Sequence, residues 1–171
     1  MVKGIVVGAI GIVLAAAAAA WIVISLGYAP ANADAKPSRI ERFIAARALH
    51  AVIRREAPKG PNPVAPTGAN VIDGIKLYAE NCAVCHGGAT GERSNIAQGL
   101  YQKPPQFGMH GVEDDPDGFT YWKIAHGIRM TGMPAFDGTL SQNQIWKIAL
   151  FLKRMNSLRP AAEKAWDGVG D

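Results

Sequence analysis

The chain has 171 residues, 49% of them hydrophobic and 19% charged, with a formal net charge of +4 at neutral pH. This length accommodates one domain of ordinary size with appendages and excludes an array of several domains. Only two cysteines are present, Cys82 and Cys85, so no further pair remains for a structural disulfide or for the second half of a four-ligand zinc site.

The first predicted element is an N-terminal helix that is long and apolar enough to cross a membrane. Residues 4–27 are 24 positions without a charge, and at about 1.5 Å per residue they span a bilayer core. Trp21 and Tyr28 lie toward one end, as interfacial aromatic residues do. The alternative is a cleaved signal peptide, since Lys3 gives a basic start and residues 31–35 offer small residues for cleavage, but the apolar stretch exceeds the usual ~7–15 residues. We expect residues 1–35 to form an uncleaved transmembrane anchor.

Residues 36–57 predict a basic amphipathic helix. Ser38 and Glu41 fit a capping box, and the apolar residues that follow recur at helical spacing: Ile40, Phe43, Ile44, Ala48, Leu49, Ala51, Val52 and Ile53. Residues 36–59 carry a net charge of +5, whereas residues 60–171 carry −1. Such a helix can lie on anionic headgroups, pack into a groove of a partner subunit, or act as a solvated spacer that covers part of the next domain. We discount nucleic acid as a partner of a membrane-anchored, exported protein.

Residues 58–68 contain four prolines and predict a linker, either extended between the helix and the next domain or wrapped on the surface. The domain itself is predicted at residues 69–158, which leaves residues 159–171 as a C-terminal tail.

The domain begins near Ala69 with a predicted helix that ends at Cys82, and Gly74 and Tyr78 share one face of this helix. A glycine inside a helix indicates close approach by another helix. The expected partner is the helix after Ser141, where a capping box with Gln144 precedes an apolar body. Its bulky residues Trp146 and Phe151 are expected to meet Gly74 and Tyr78.

The sequence Cys82-Ala83-Val84-Cys85-His86 follows directly. Two thiols at this spacing capture both vinyl groups of a haem as thioethers, and the next histidine coordinates the iron. A thioredoxin-type dithiol is the first alternative, but it leaves His86 unexplained and lacks the strand and helix alternation around such sites. Two buried reduced cysteines are the other alternative. We therefore predict covalent attachment of one haem c.

Residues 87–118 predict a loop with one short helix at 94–101. Within it, Pro104 or Pro105 can offer a backbone carbonyl to the Nδ1 proton of His86 and so orient that ligand. The acidic residues Glu113, Asp114, Asp115 and Asp117 form either a solvated turn or a docking patch for a basic partner.

A second short helix is predicted at 119–127, and the loop after it is expected to supply the sixth iron ligand. Met133 is preferred because Gly132 permits close approach and Pro134 fixes the backbone directly after it. Met130 is the second choice. Histidine is the competing ligand type: we expect His126 to line the haem edge or a propionate, and His50 and His110 to be surface residues.

Gly74, Tyr78, the motif at 82–86, the segment Gly132-Met133-Pro134-Ala135-Phe136, Trp146 and Phe151 together resemble a class I (mitochondrial-type) monohaem cytochrome c, over about residues 69–158. The resemblance implies an all-α cytochrome c fold in which the N- and C-terminal helices of the domain cross near a partly exposed haem edge. It also implies His86 and Met133 as axial ligands. The long spacing from His86 to Pro104 departs from compact members of the family.

The function that this resemblance implies is outer-sphere electron transfer in the periplasm, by a carrier and not an enzyme. Attachment of this kind is linked to export in bacteria, which places the haem domain outside the inner membrane, although charge counting around the apolar helix favours the opposite orientation. The expected redox partners are a quinol-oxidising complex or dehydrogenase and an oxidase or other acceptor. A fixed haem subunit of a larger oxidoreductase is the alternative, and a ligand-binding or sensory haem protein with an open sixth position is a weaker third.

Overall fold

The computed structural model describes residues 2–108, 112 and 114–170, and within these residues every regular element is helical. The predicted all-α fold is therefore confirmed. The elements are α1 (Val2–Ser25), α2 (Arg39–Glu56), α3 (Gly68–Asn81), α4 (Ala83–His86), α5 (Asn95–Gly99), α6 (Asp117–His126), α7 (Gln142–Arg154), a 3-10 turn (Met155–Ser157) and α8 (Pro160–Asp167). The chain divides into two compact units, one ending at Ala35 and the other beginning at Lys36.

The first unit is dominated by α1, which contains no acidic residue and buries none of its side chains. By length and composition this helix can cross a membrane, and an N-terminal signal sequence satisfies the same criterion. The choice between an anchor and a cleaved signal therefore remains a prediction.

The core of the second unit is built on the crossing of α3 and α7. A Cβ atom on Gly74 would overlap the carbonyl group of Lys147, so only glycine lets the two backbones approach this closely. Tyr78 and Phe151 are both fully buried, and their rings pack edge to face with centroids 5.5 Å apart. The predicted contact of Phe151 is confirmed. Trp146 was also expected to meet Gly74 and Tyr78, but its ring instead stacks on Tyr121 of α6, with centroids 4.3 Å apart.

The C-terminal segment contributes to the same core. Residues 159–171 were separated from the domain as a tail, yet residues 160–167 form α8 and bury Trp166. Its ring lies 5.5 Å from Tyr78 and 5.1 Å from Phe151. The core of the domain therefore extends beyond the predicted boundary.

The proline-rich segment wraps on the domain and is not an extended spacer. The Asn62 backbone donates to Asp117 Oδ2 at 3.1 Å, and its side-chain amide donates to the carbonyl of Trp146 at 2.9 Å. Val64 is buried in the core cluster, and a Cβ on Gly118 would overlap the carbonyl of Pro58. These contacts fix the end of α2 against α6.

The two predicted short helices are present with slightly different bounds. The helix expected at 94–101 covers Asn95–Gly99, with Ser94 Oγ accepting from the Ala97 N–H at 3.1 Å. The helix expected at 119–127 begins earlier, at Asp117, and ends at His126. The capping box predicted for α7 is formed by Ser141 and Gln144.

Candidate functional site

The two cysteines lie at the junction of α3 and α4. The Cys82 N–H closes α3 by donating to the Tyr78 carbonyl at 2.8 Å, and the Cys82 carbonyl accepts from the N–H groups of Cys85 and His86 at 3.0 and 2.9 Å. One helical turn therefore separates the two thiols, both of which are free and half-buried. This spacing matches two attachment points along one edge of a flat macrocycle.

The acidity of Cys82 argues against a redox dithiol. Burial, together with the neighbouring Cys85, raises the pKa of the Cys82 thiol to about 12. Thiol–disulfide exchange needs a thiolate, and reactive cysteines have lowered pKa values for that reason. A thioether carries no titratable proton, so the same environment suits covalent attachment.

His86 is held by the segment that contains the double proline. Its Nδ1 lies 2.9 Å from the carbonyl oxygen of Pro105, and its ring stacks on Phe107 with centroids 4.6 Å apart and planes 11° from parallel. The Phe107 N–H also donates to the His86 carbonyl at 3.1 Å. Of the two prolines that were predicted to reach His86, the structure places Pro105 there.

This arrangement determines which ring nitrogen of His86 can bind a metal. Burial lowers the pKa of His86, an effect opposed by the hydrogen bond to Pro105, so the neutral imidazole is favoured. Because the carbonyl can only accept, Nδ1 carries the proton and Nε2 keeps its lone pair. The ring is therefore set in the tautomer whose Nε2 is free to bind a metal.

Gln106 supports the same segment, and no sequence pattern singled it out. This side chain is buried, and its Nε2 donates to the carbonyls of Cys85 at 3.0 Å and Pro104 at 3.1 Å. Gln106 thus joins α4, which contains Cys85, to the backbone segment that contains Pro105. Its Oε1 finds no hydrogen-bond partner among the described residues.

Tyr78 joins the helical core to the end of the motif. Its hydroxyl donates to the Gly87 carbonyl at 2.7 Å, and burial raises its pKa, so the phenol stays protonated. Gly87 adopts a φ of 73°, a backbone conformation that glycine occupies without strain. The chain therefore turns sharply just after His86 while remaining tied to α3.

The two candidate methionines lie in different environments. Met133 is half-buried and packs against the core cluster, whereas Met130 is 88% exposed and has a φ of 59°. The Met133 N–H donates to Thr131 Oγ1 at 3.1 Å, and its carbonyl accepts from the Ile128 N–H at 3.2 Å. A Cβ on Gly132 would meet the side chain of Leu100, so glycine permits a close approach here; the approach of a macrocycle to Gly132 stays a prediction. These positions favour Met133 over Met130 as the inward-facing thioether.

Two of the competing histidines are exposed, and the third lies outside the described residues. His50 is an exposed residue of α2, and His126 is exposed at the end of α6, with its ring 5.1 Å from that of Trp122. His110 lies outside the described residues. Within the part of the chain that the structure describes, no three His, Cys, Asp or Glu side chains form a metal-binding group.

The acidic residues near α6 make contacts within the domain. Asp115 accepts from Lys123 at 2.6 Å, and Asp117 accepts from the backbone of Asn62. Glu113 lies outside the described residues. The turn is thus partly engaged in the fold, and its use as a docking patch remains untested.

The donors present fit a haem c. Two free thiols sit one turn apart, the adjacent imidazole has its Nδ1 occupied and its Nε2 available, and the donor set includes a half-buried thioether at Met133. Cys82, Cys85 and His86 are brought together by a single segment. Met133 comes from a separate loop, between α6 and α7.

Comparisons with known proteins match the domain built around this motif. A profile of the family described as "Cytochrome C oxidase, cbb3-type, subunit III" matches residues 69–152. Cytochrome c6 of Synechococcus sp. is 33% identical over 102 residues, which cover 58% of this chain and 78% of that protein. Cytochrome c6 of Thermosynechococcus vestitus is 32% identical over 106 residues, 61% of this chain and 81% of its own length. For cytochrome c6 of Synechococcus elongatus the values are 32% over 102 residues, 58% of this chain and the whole of that protein. No solved structure matches the chain.

Proposed function

Because the chain belongs to the class I monohaem c-type cytochromes, which carry electrons and are not enzymes, we propose that it is a membrane-tethered periplasmic carrier. It takes single electrons from a quinol-oxidising complex or a dehydrogenase and delivers them to a terminal acceptor such as an oxidase. The observation that carries the proposal is the junction of α3 and α4, where two thiols and an oriented imidazole share one helical turn.

Four residues of the chain would hold the redox centre. Covalently bound haem c supplies a centre that changes its charge by one electron. Cys82 and Cys85 hold it through thioethers, and His86 and Met133 are the proposed axial ligands. With both of these residues bound, the iron would have no coordination position left for a substrate, and the Met133 thioether would raise the reduction potential. Both properties suit a carrier.

The tether is α1, which has the length and composition to cross a bilayer. Attachment of haem c is linked to export in bacteria, so the proposed location is the inner membrane with the haem domain in the periplasm. The basic residues that follow α1 favour the opposite orientation by charge counting. We give more weight to the link between haem attachment and export than to charge counting.

A fixed haem subunit of a larger membrane oxidoreductase is the second candidate. It is favoured by the matching family profile, whose description names a subunit of an oxidase. The free carrier is favoured by the relative from Synechococcus elongatus, which is matched along its entire length.

Extraction of the native protein from membranes in mild detergent tests both candidates. A carrier elutes as a haem-staining chain of its own, whereas a subunit co-elutes with other chains in fixed stoichiometry. Recovery in the soluble fraction, with residues 1–35 missing from the mature N-terminus, would contradict the tether. A sensory haem protein is tested by the visible spectrum, because an open sixth position gives a high-spin form that binds carbon monoxide readily.

A further inference from the structure

Helix α2 is attached to the haem domain by one face only. Ile53 is 1% exposed, and Leu49 and Val52 beside it are half-buried. Near the other end, Glu41 accepts a hydrogen bond from the hydroxyl of Tyr101 at 2.7 Å. Contacts at both ends therefore fix which side of the helix is turned away from the domain.

The side turned away is both apolar and basic. Every residue from 39 to 48 is exposed, including three large apolar side chains: Ile40 at 73%, Phe43 at 71% and Ile44 at 59%. At about 100° per residue, these three lie on the side opposite Leu49 and Ile53. Arg47, Arg54 and Arg55 continue the same side toward the end of the helix. We call this set of six residues the outer face of α2.

The sequence alone placed all the apolar residues of this helix in one stripe, and the structure divides them. Leu49, Val52 and Ile53 cover the domain, which leaves Ile40, Phe43 and Ile44 without that role. Exposed large apolar residues grouped together mark an interaction surface more often than scattered ones do. The arginines favour a negatively charged partner surface, and the apolar side chains favour one that is apolar beneath its charged groups.

We propose that the outer face of α2 lies on an anionic lipid surface, with its apolar side chains below the headgroups and its arginines among the lipid phosphates. An interfacial helix has this combination of Phe and Ile with Arg. Residues 36–59 carry a net charge of +5, and each basic residue near an anionic membrane adds to the attraction. Only residues 26–38 separate α2 from the end of α1. The inference rests on the proposed tether, and it means that the haem domain is oriented by the membrane as well as held near it.

Hydrogen exchange of the full-length holoprotein in lipid nanodiscs tests this inference. Discs of phosphatidylglycerol are compared with discs of phosphatidylcholine, and deuterium uptake is followed in the peptides that cover residues 39–48. We expect uptake in the anionic discs to be slower by about tenfold or more. Equal uptake in both lipids would overturn the proposal, as would protection that appears only when other membrane proteins are added, since that result would assign the face to a protein partner.

Three variants separate the outer face from general effects on the helix. The double variants Phe43→Ser/Ile44→Ser and Arg47→Gln/Arg54→Gln should each abolish most of the difference between lipids. Ile96→Ser, which alters a comparably exposed apolar residue of α5 (56%), should leave it unchanged. Faster uptake by the same factor in both lipids would indicate a weakened helix, and retention of the full lipid difference in both double variants would contradict the proposal. If the chain does not remain in either type of disc, the proposed membrane anchor is wrong. If it remains but residues 39–48 are not protected from exchange, only the proposed lipid contact of α2 is wrong.

Discussion

The Nδ1 atom of His86 lies 2.9 Å from the carbonyl oxygen of Pro105, across a separation of 19 residues. The proline ring fixes only the φ angle of Pro105 itself. The position of its carbonyl oxygen therefore also depends on what holds the surrounding segment. Gln106 and Phe107 do so by hydrogen bonds to the carbonyls of Cys85 and His86. The ligand and the group that orients it are therefore part of one hydrogen-bonded unit.

Replacing Met133 by Ala should lower the reduction potential on the order of 100 mV or more and open the iron to carbon monoxide, because the thioether is lost as a ligand. Potentiometric titration and visible spectra of the holoprotein measure both effects. Met130→Ala is the matched control, since that side chain is 88% exposed, and it should leave both unchanged. The reverse result would move the sixth ligand to Met130.

Gln106→Leu should destabilise the holoprotein by about 1–3 kcal/mol, because the carbonyls of Cys85 and Pro104 lose their buried donor. Denaturant unfolding monitored by the haem absorbance provides the measurement. Gln98→Leu is a control with a similar bond, from its side-chain amide to the Arg93 carbonyl at 3.1 Å, but at an exposed site, and it should cost less than about 0.5 kcal/mol. Equal losses for the two variants would show that Gln106 has no special role.

Gly74→Ala should cost at least about 2–3 kcal/mol, because the added methyl group would overlap the Lys147 carbonyl and separate α3 from α7. Gly68→Ala tests the same substitution in the first turn of the same helix, where nothing lies within 4 Å of the added atom. That variant should be neutral or slightly stabilising, since alanine favours the helix. Thermal unfolding of both variants checks the difference, and a neutral Gly74→Ala would refute the close crossing.

The ion pair between Asp73 of α3 and Lys147 of α7, 2.7 Å apart, should make a small and pH-dependent contribution. The hydrogen bond from Lys147 lowers the pKa of Asp73. A lowered folded pKa means that the contribution is present above the carboxyl group's unfolded pKa and is lost as the pH falls through the folded value. Both side chains are partly exposed, so we expect a coupling energy of about 0.2–1 kcal/mol at neutral pH.

A double-mutant cycle with Asp73→Asn and Lys147→Gln measures that coupling. The expected coupling decreases toward zero as the pH falls through the lowered folded pKa of Asp73, because the carboxyl group is then protonated in both the folded and the unfolded state. A coupling that persists unchanged in acid would mean that the two helices are joined there by something other than the charge pair.

Features that depend on residues close in the sequence, or on a strict steric requirement, were predictable. The capping box of α7, the spacing of Cys82, Cys85 and His86, and the need for glycine at position 74 all follow from local geometry. The carbonyl near His86 was predicted because proline offers a rigid backbone carbonyl. Each of these requirements leaves few alternative structures.

Features that depend on distant contacts were not predictable. The contact of Tyr101 with Glu41 spans 60 residues, and the hydrogen bonds of Gln106 depend on a loop whose path no periodicity describes. For α2, periodicity shows which residues share a side but not which of them another element covers. Helix α8 was missed even though Pro160 suits a helix start, because eight residues carry little periodic signal and its stability comes from burying Trp166.

Intact-mass spectrometry of the full chain, produced in a bacterium with a working haem-attachment system, tests covalent binding most directly. We expect the mature polypeptide to carry the added mass of one haem, and the Cys82→Ser/Cys85→Ser double variant to carry none. A mature polypeptide with no added mass, or added mass that survives in the double variant, would contradict attachment through these two sulfurs.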